Sequence, residues 1–195
     1  MKKLFLNLFL ISVSWSVFSQ DAVNYQTPPQ AIKDLLLAKP TPGVNINSKA
    51  EWMLLSERNS FPSVEELAMP EYRIAGMRIN PNNYAPSRLT FINNFTLNNI
   101  KSGVNYQITG LPAPLYAYTA VWSPNEDKIA IIHVSQKTND LYVIDIATRK
   151  ATKFNKQPLN LIMGGSVMWA DNNTLIYKVA IRPATAAPAK PLMPK

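Results

Sequence analysis

The sequence contains no cysteine among its 195 residues. This absence excludes a disulfide framework, a thiolate metal site, a cysteine nucleophile and a cysteine for lipoprotein attachment. Histidine is almost absent too, since His133 is the only one. No spacing offers it the partners of a zinc site or a catalytic triad, and we expect it to be an ordinary strand residue. We therefore expect neither a metal nor another cofactor.

Glycine is scarce as well, with six residues against sixteen prolines. This balance favours many extended segments and few long helices. The hydrophobic content of 47% and charged content of 16% are typical of a globular protein. A chain of this length can bury one hydrophobic core but is too short for two large domains.

Runs of basic residues are also missing, although the net charge is +8, from 20 Lys and Arg against 12 Asp and Glu. Past the start of the chain the positive charges are scattered singly. A protein that follows a phosphate backbone needs them in clusters. We therefore expect no nucleic-acid partner.

Beyond the first twenty residues no apolar run approaches membrane-spanning length. Residues 1–19 are typical of a secretory signal peptide, with Lys2 and Lys3 before a short apolar core that several serines interrupt. Its removal would lower the net charge from +8 to +6, because it takes both lysines with it. We expect an exported chain, periplasmic or extracellular, with no membrane association after cleavage.

Residues 20–43 form a lead-in to the main domain. Pro28 and Pro29 suit the start of a helix, and Ile32, Leu35 and Leu36 follow at helical spacing. Prolines at positions 40 and 42 would end it. The pattern predicts a short amphipathic helix.

The segment 117–155 organises the rest of the sequence. Apolar runs of four to seven residues alternate with short breaks rich in Ser, Pro, Asn and Asp. Such spacing predicts strands joined as hairpins. We interpret the segment as one four-stranded blade of a β-propeller, which makes the fold class all-β.

Two further segments repeat this pattern and make residues 44–195 an incomplete propeller of about two and a half blades. Blade one would occupy 44–112 and the start of blade three 165–181, before a Pro-rich tail at 182–195. Trp122 and Trp169 are 47 residues apart, close to the length of a blade, and we expect them to pack between blades.

The repeat predicts which strands of blades one and two are equivalent. Residues 44–47 are matched to 120–123, and residues 52–55 to 129–132.

Blade one is longer than blade two because residues 59–88 are inserted in it. Ser63 and Glu66 have the spacing of a capping box and predict a short helix that ends before Pro70. The blade's last two strands are predicted at 89–97 and 104–108.

Several motifs in this chain resemble those of a known peptidase family. They are P-P-x-x-I-K-D-L in the lead-in, E-E-L-A-x-P-E-x-x-x-A-G-x-R-I at 65–79, S-R-x-x-F at 87–91, V-x-W-S-P-N-x-D-K-I-A from Val121, and the Pro-rich close at 181–194. Together they resemble the start of glutamyl endopeptidases of the prolyl oligopeptidase family. The resemblance covers about residues 25–194.

The resemblance implies a non-catalytic part of a serine endopeptidase. In that family a propeller limits substrate access to a C-terminal α/β-hydrolase domain, whose nucleophile lies in G-x-S-x-G. This sequence has no such motif, and its nearest approach is Gly164-Gly165-Ser166. We therefore assign no catalytic residue. The expected partners are the hydrolase domain and, through the parent enzyme, peptide substrates, with glutamate as the candidate residue beside the cut.

Arg78 and Arg88, which flank the inserted loop, are our candidate substrate-binding residues. A peptidase that prefers glutamate needs a cation beside the substrate carboxylate, and arginine can bind one with two parallel hydrogen bonds. The alternative is a surface or loop-pinning role for both.

A second interpretation is a free-standing periplasmic binding module without enzymatic activity. Two and a half blades would leave sheet edges and faces unpaired, which disfavours this interpretation. We expect the isolated chain to be marginally stable and prone to oligomerise.

Overall fold

The computed structural model describes residues 26–165 and 167–181. The predictions for the signal peptide, the first part of the lead-in and the Pro-rich tail lie outside these residues. The chain divides into two compact units, residues 1–36 and 37–195. Helix α1, Gln30–Leu37, begins where predicted, because Pro29 accepts the first hydrogen bonds, from the N–H groups of Ile32 and Lys33.

The second unit opens with a four-stranded antiparallel sheet, here the first sheet, in the order β1-β2-β6-β7. Its strands are β1 (Gly43–Ile46), β2 (Trp52–Glu57), β6 (Asn94–Asn99) and β7 (Val104–Gln107). The third strand begins five residues later than predicted. Before it, Ile92 pairs with Ala117 in an isolated bridge, so residues 89–93 connect two sheets rather than extend one.

The second sheet is a meander in which each strand pairs with the next. It comprises β8 (Ala117–Trp122), β9 (Lys128–Val134), β10 (Asn139–Asp145) and β11 (Lys150–Lys153). A third sheet is the hairpin β12 (Val167–Trp169) and β13 (Leu175–Tyr177). The turns that follow β8, β9 and β12 contain Pro, Asn, Asp or Ser residues that indicated them in the sequence, whereas the turn between β10 and β11, residues 146–149, contains none of these.

The insertion after β2 contains helix α2 (Val64–Leu67) and a fourth sheet of β3 (Tyr72–Ile74), β4 (Met77–Asn80) and β5 (Ala85–Pro86). The capping box of α2 is present as predicted, with Glu66 N–H donating to Ser63 Oγ at 3.1 Å.

Two apolar layers separate the first three sheets. Leu54, Phe95 and Leu97 of the first sheet pack against Ile129 and Ile131 of the second, and all are buried. On the opposite face of the second sheet a separate cluster reaches the third sheet, with these buried members: Ala130, Ile132, Leu141 and Leu175. Alternation along β9 supplies both layers, because neighbouring residues of a strand point to opposite faces.

Both predicted tryptophans connect neighbouring sheets. The Trp122 indole N–H donates to Asn45 Oδ1 at 3.0 Å, and that of Trp169 donates to the Val121 carbonyl at 3.1 Å. Asn45 and Val121 are equivalent in the predicted match of β1 with β8. The second and third sheets therefore each donate an indole N–H to the equivalent residue of the sheet before, although the acceptor is a side-chain oxygen in Asn45 and a backbone carbonyl in Val121. The packing of both tryptophans between neighbouring sheets is confirmed.

The predicted match of the next strand is wrong by one residue. Asn47 N–H donates to the Trp52 carbonyl at 3.0 Å, and Ser123 N–H donates to that of Lys128 at 2.9 Å. Trp52 is thus equivalent to Lys128, and Leu54 to Ala130. The error arose because both strands are apolar on both faces, so the sequence did not distinguish the two registers.

Thirteen short strands and two short helices are found in the described part of the chain, and the all-β class is confirmed. Within residues 26–165 and 167–181 the strands form four sheets, and every pair of neighbouring strands in them is antiparallel. Their arrangement as blades of a propeller stays a prediction.

Candidate functional site

The site lies on the insertion between β2 and β6. A two-residue turn, Ala75-Gly76, joins β3 to β4 with positive φ at both positions, 47° and 84°. This geometry matches the twist of a tight hairpin, and glycine adopts it without steric cost. The hairpin sets Arg73 opposite Arg78 in the strand register.

Glu71, just before β3, is the centre of an arginine cluster. Arg78 Nη1 lies 2.6 Å from Oε1, and Arg73 Nε lies 3.0 Å from the same oxygen. Arg88 Nε lies 3.0 Å from Oε2, which also accepts a hydrogen bond from Ser87 Oγ at 3.0 Å. Both carboxylate oxygens are thereby satisfied, and the Glu71 side chain is only 14% exposed.

The pKa of Glu71 reflects two opposed effects. Removal from water raises it, since burial disfavours the charged form. Hydrogen bonds from Arg73, Ser87, Arg88 and Arg78 lower it more, and the pKa falls from 4.5 to about 2. Glu71 is therefore ionised at neutral pH and acts as an anion that holds the guanidinium groups, not as a proton donor.

The two predicted arginines meet at this carboxylate. Arg88 has a left-handed backbone, with φ of 62°, which is uncommon for a residue other than glycine. The neighbouring Ser87 N–H donates to the Arg78 carbonyl at 3.0 Å and fixes the segment against β4. These contacts are those that a loop-pinning role requires.

The cluster still has binding capacity. The side chains of Arg78 and Arg88 are 42% and 63% exposed, and the terminal nitrogens of Arg88 make no hydrogen bond to the described residues. Three arginines against one carboxylate leave a formal excess of two positive charges. The cluster can therefore accept a second carboxylate, from a ligand.

A cavity of about 270 Å³ lies beside the cluster, with Glu71 and Arg88 in its wall. Glu66 also lines it, but its carboxylate is engaged in the capping box of α2. Most of the remaining wall is apolar and comprises Phe61, Pro62, Leu67, Met69, Pro86, Leu89, Phe91, Leu115, Tyr116 and Val134. An apolar cavity with a few charged groups at its margin is typical of a binding site for an organic ligand.

Buried amides attach this cavity to the second sheet. Asn83, in the cavity wall, donates from Nδ2 to the Ser135 carbonyl at 2.7 Å. The Asn139 side chain, fully buried, donates to the carbonyls of Asn83 and Leu159. Because a buried polar group is costly to leave unpaired, these bonds fix the insertion loop in one position.

His133 lies on β9 as predicted and is 7% exposed. Its Nδ1 accepts the backbone N–H of Tyr116 at 3.2 Å, and its ring stacks on that tyrosine with centroids 6.3 Å apart. Burial lowers its pKa, and Lys153 lowers it further while Asp140 opposes the shift. These contacts make it a neutral packing residue.

The described residues contain no group of three or more His, Cys, Asp or Glu side chains arranged to hold a metal ion. In the same part of the chain, no helix has the length and apolar character needed to cross a bilayer.

Two plant proteins match the chain over most of its length. Each is named probable glutamyl endopeptidase, chloroplastic. The Arabidopsis thaliana protein is 29% identical over 182 residues, and the match covers 87% of this chain and 19% of the plant protein. The Oryza sativa subsp. japonica protein is 25% identical over 189 residues, covering 90% of this chain and 20% of its own length.

These matches relate the chain distantly to a peptidase family. No family model matches the sequence. The chain spans about a fifth of the length of the curated relatives.

Glu71 and Arg73 are the residues of the arginine cluster that sequence reasoning missed. Both lie within the segment 65–79 on which the resemblance was noted, but no role was assigned to them. The partners of Glu71 lie up to 17 residues away in sequence, and only the fold of the β3–β5 sheet brings them together. The available signal was the closeness of Glu71 in sequence to Arg73, Arg78 and Arg88.

Proposed function

We propose that this chain is the N-terminal, non-catalytic propeller portion of an exported serine endopeptidase of the prolyl oligopeptidase family. One observation carries the proposal: about nine-tenths of the chain matches proteins named probable glutamyl endopeptidase, over only about a fifth of their length. A match of this kind is expected of one part of a longer enzyme.

The packing of the sheets supports the propeller part of the proposal. The first two sheets have four antiparallel strands each, and the third presents the same hairpin to the second sheet. Trp122 and Trp169 donate to Asn45 and Val121, which are equivalent in the repeat, and these contacts support a packing step that is made twice. A propeller repeats such a step around a central channel.

In this proposal the chain gates the substrate and does not cut it. Peptide hydrolysis would proceed by acyl transfer to a serine of a C-terminal α/β-hydrolase domain, outside this sequence. The propeller would admit short or unfolded peptides to that serine and exclude folded proteins. Residues 1–19 would direct the enzyme to the periplasm or the medium.

The test is the reading frame beyond codon 195. We expect it to continue into a domain with a G-x-S-x-G elbow followed by Asp and His. The long product should react with a fluorophosphonate probe at that serine, and the 195-residue chain should not. A true stop codon with no hydrolase sequence downstream would overturn the proposal and favour the free-standing binding module.

Substrate gating can be tested separately in the protein encoded by the longer reading frame. Deleting residues 20–195 should leave cleavage of a short peptide measurable while increasing cleavage of an unfolded or folded protein relative to it. An unchanged ratio between short and long substrates would refute a gating role and leave the assignment to the family untouched.

For Arg78 and Arg88 we propose contact with an acidic side chain of the peptide. The support is that both already bind a carboxylate, that of Glu71, and retain exposed N–H donors. Fluorescence anisotropy with two labelled peptides that differ only in Glu or Gln measures the preference on the chain itself.

Arg78→Ala and Arg88→Ala should each reduce the preference for the Glu peptide on the order of tenfold, the value of one charge-assisted hydrogen bond. The matched control is Arg58→Ala, because Arg58 is exposed and lies outside the cluster. If both variants keep the full preference for Glu over Gln, the arginines only pin the loop.

A further inference from the structure

The cavity beside the arginine cluster is formed within the middle of the chain. All of its described wall residues lie between positions 59 and 134. They come from the insertion, from residues 89–93, from the approach to β8 and from the end of β9. Leu115 and Val134, at these last two places, are only 6% and 2% exposed. The base of the cavity is therefore part of the folded core.

The apolar wall of the cavity suits a single aromatic ring. Phe91 and Tyr116 pack edge to face in this wall, with their ring centroids 5.5 Å apart. Aromatic rings attract a further ring in such tilted or offset contacts. The volume of about 270 Å³ is below the range of about 300–1,000 Å³ that is usual for drug-sized ligands. The cavity therefore has room for one small ring rather than for a large cofactor.

Most polar side chains in the wall are already engaged. Asn93 donates to Asn59 Oδ1 at 2.6 Å, and Asn83 is bonded to the backbone through both its side-chain oxygen and its nitrogen. Both carboxylate oxygens of Glu71 accept bonds from the cluster, and the Glu66 carboxylate is engaged in the capping box of α2. The acceptors of the wall are thus occupied, and a bound ligand has to supply its own.

Arg88 provides the unoccupied donors. Its Nε is bonded to Glu71 Oε2 at 3.0 Å, whereas its terminal nitrogens bond to no described residue. The bond from Nε holds the guanidinium group beside the cavity. A carboxylate is the acceptor that such a group binds most strongly, and the excess of two positive charges in the cluster favours an anion.

We infer that this cavity binds a small aromatic carboxylate, with the ring between the apolar wall residues and the carboxylate on Arg88. A free organic acid has this chemistry, and so has an aromatic residue at the C-terminus of a peptide. The site shares Arg88 with the proposed contact to a glutamate side chain. It requires neither the enzyme nor a glutamate.

Titration of the full chain with phenylpropionate tests the inference. Methyl NMR signals of Leu115 and Val134 report on the base of the cavity and should shift as the ring enters. The amide of this acid lacks the charge, and phenylpropylamine reverses it. The acid should bind on the order of tenfold more tightly than the amide, and the amine should bind most weakly. Acetate, which has no ring, should leave both methyl signals in place.

Arg88→Ala should weaken binding of the acid on the order of tenfold and leave binding of the amide unchanged. The matched control is Arg58→Ala, because Arg58 is exposed and lines no part of the cavity. It should bind the acid as the wild type does. Unchanged binding of the amide shows that the cavity of the Arg88 variant is intact. Loss of amide binding as well would show that Arg88 only shapes the wall, and would overturn its role.

N-acetylglycyl-phenylalanine distinguishes the two sources of the carboxylate. Tighter binding than that of phenylpropionate would support the C-terminus of a peptide, and equal binding would support a free acid.

Two further results would overturn the inference. One is binding of the amide or the amine as tight as that of the acid. The other is binding of the acid without a shift of the Leu115 or Val134 methyl signals, which would place it elsewhere on the chain. A chain that binds the acid but does not distinguish Glu from Gln peptides would keep this inference and refute the proposed contact with glutamate.

Discussion

The corrected register of β2 makes a sharp prediction about two neighbouring leucines. Leu54 is 1% exposed and faces the layer between the first and second sheets. Leu55 is on the other side of the strand and only partly buried. Replacing each by alanine deletes the same atoms from opposite faces of one strand.

The two costs should differ by about 2 kcal/mol. Leu54→Ala loses the full transfer free energy of its side chain and leaves a cavity, because β6 and β9 hold the surrounding residues in place. Such a change costs about 2–5 kcal/mol. Leu55→Ala loses about half of the transfer term and creates no enclosed void, so we expect about 1 kcal/mol.

Urea denaturation followed by tryptophan fluorescence measures both values. The slope of the free energy of unfolding against urea should stay constant across the variants. Equal destabilisation, or a larger cost at Leu55, would restore the register predicted from the sequence and refute the equivalence of Leu54 with Ala130.

Three further predictions concern single contacts. Trp169→Phe and Trp52→Phe both reduce an indole to a phenyl ring, but only Trp169→Phe also removes a hydrogen bond, to the Val121 carbonyl, since the Trp52 indole N–H bonds to no described residue. Trp169→Phe should therefore cost about 1 kcal/mol more than Trp52→Phe in urea denaturation. Because the pKa of Glu71 is lowered, its stabilising contribution is present above pH 4.5 and is lost as the pH falls from 4.5 towards 2. Glu71→Gln should therefore make the melting temperature depend less on pH in that range. The same pH dependence in both proteins would contradict the cluster. The pKa of His133 is lowered from 6.5, so the unfolded chain takes up a proton first and stability falls as the pH drops below 6.5. His133→Gln should reduce the slope of stability against pH in this range. The same slope in both proteins would assign it to another group.

Local features of this fold could be predicted from the sequence. The capping box at Ser63 and Glu66 and the hairpins of the second sheet depend on residues a few positions apart. The interacting residues can therefore be recognised from a short stretch of sequence. The tryptophans at positions 122 and 169 were also informative, because a repeat places equivalent residues in equivalent contacts.

Features that depend on distant residues could not be predicted. The register of β2 is decided by which face meets the second sheet, and Met53, Leu54 and Leu55 are all apolar. The cavity is enclosed by α2 together with residues such as Leu115 and Val134, which are far away in sequence. The pairing of Arg78 and Arg88 through Glu71 likewise required the fold.

The amide contacts of Asn83 have a consequence for how the chain folds during synthesis. The loop that contains Asn83 is fixed by Asn139, which lies 56 residues later. At about 5–20 residues per second, a ribosome takes about 3–11 s to supply that partner. The strands of the first sheet, up to β7, are all synthesised before Asn139. The insertion between β2 and β6 therefore cannot pack on the second sheet until the ribosome has synthesised that sheet. During these seconds the insertion is exposed to chaperones and proteases.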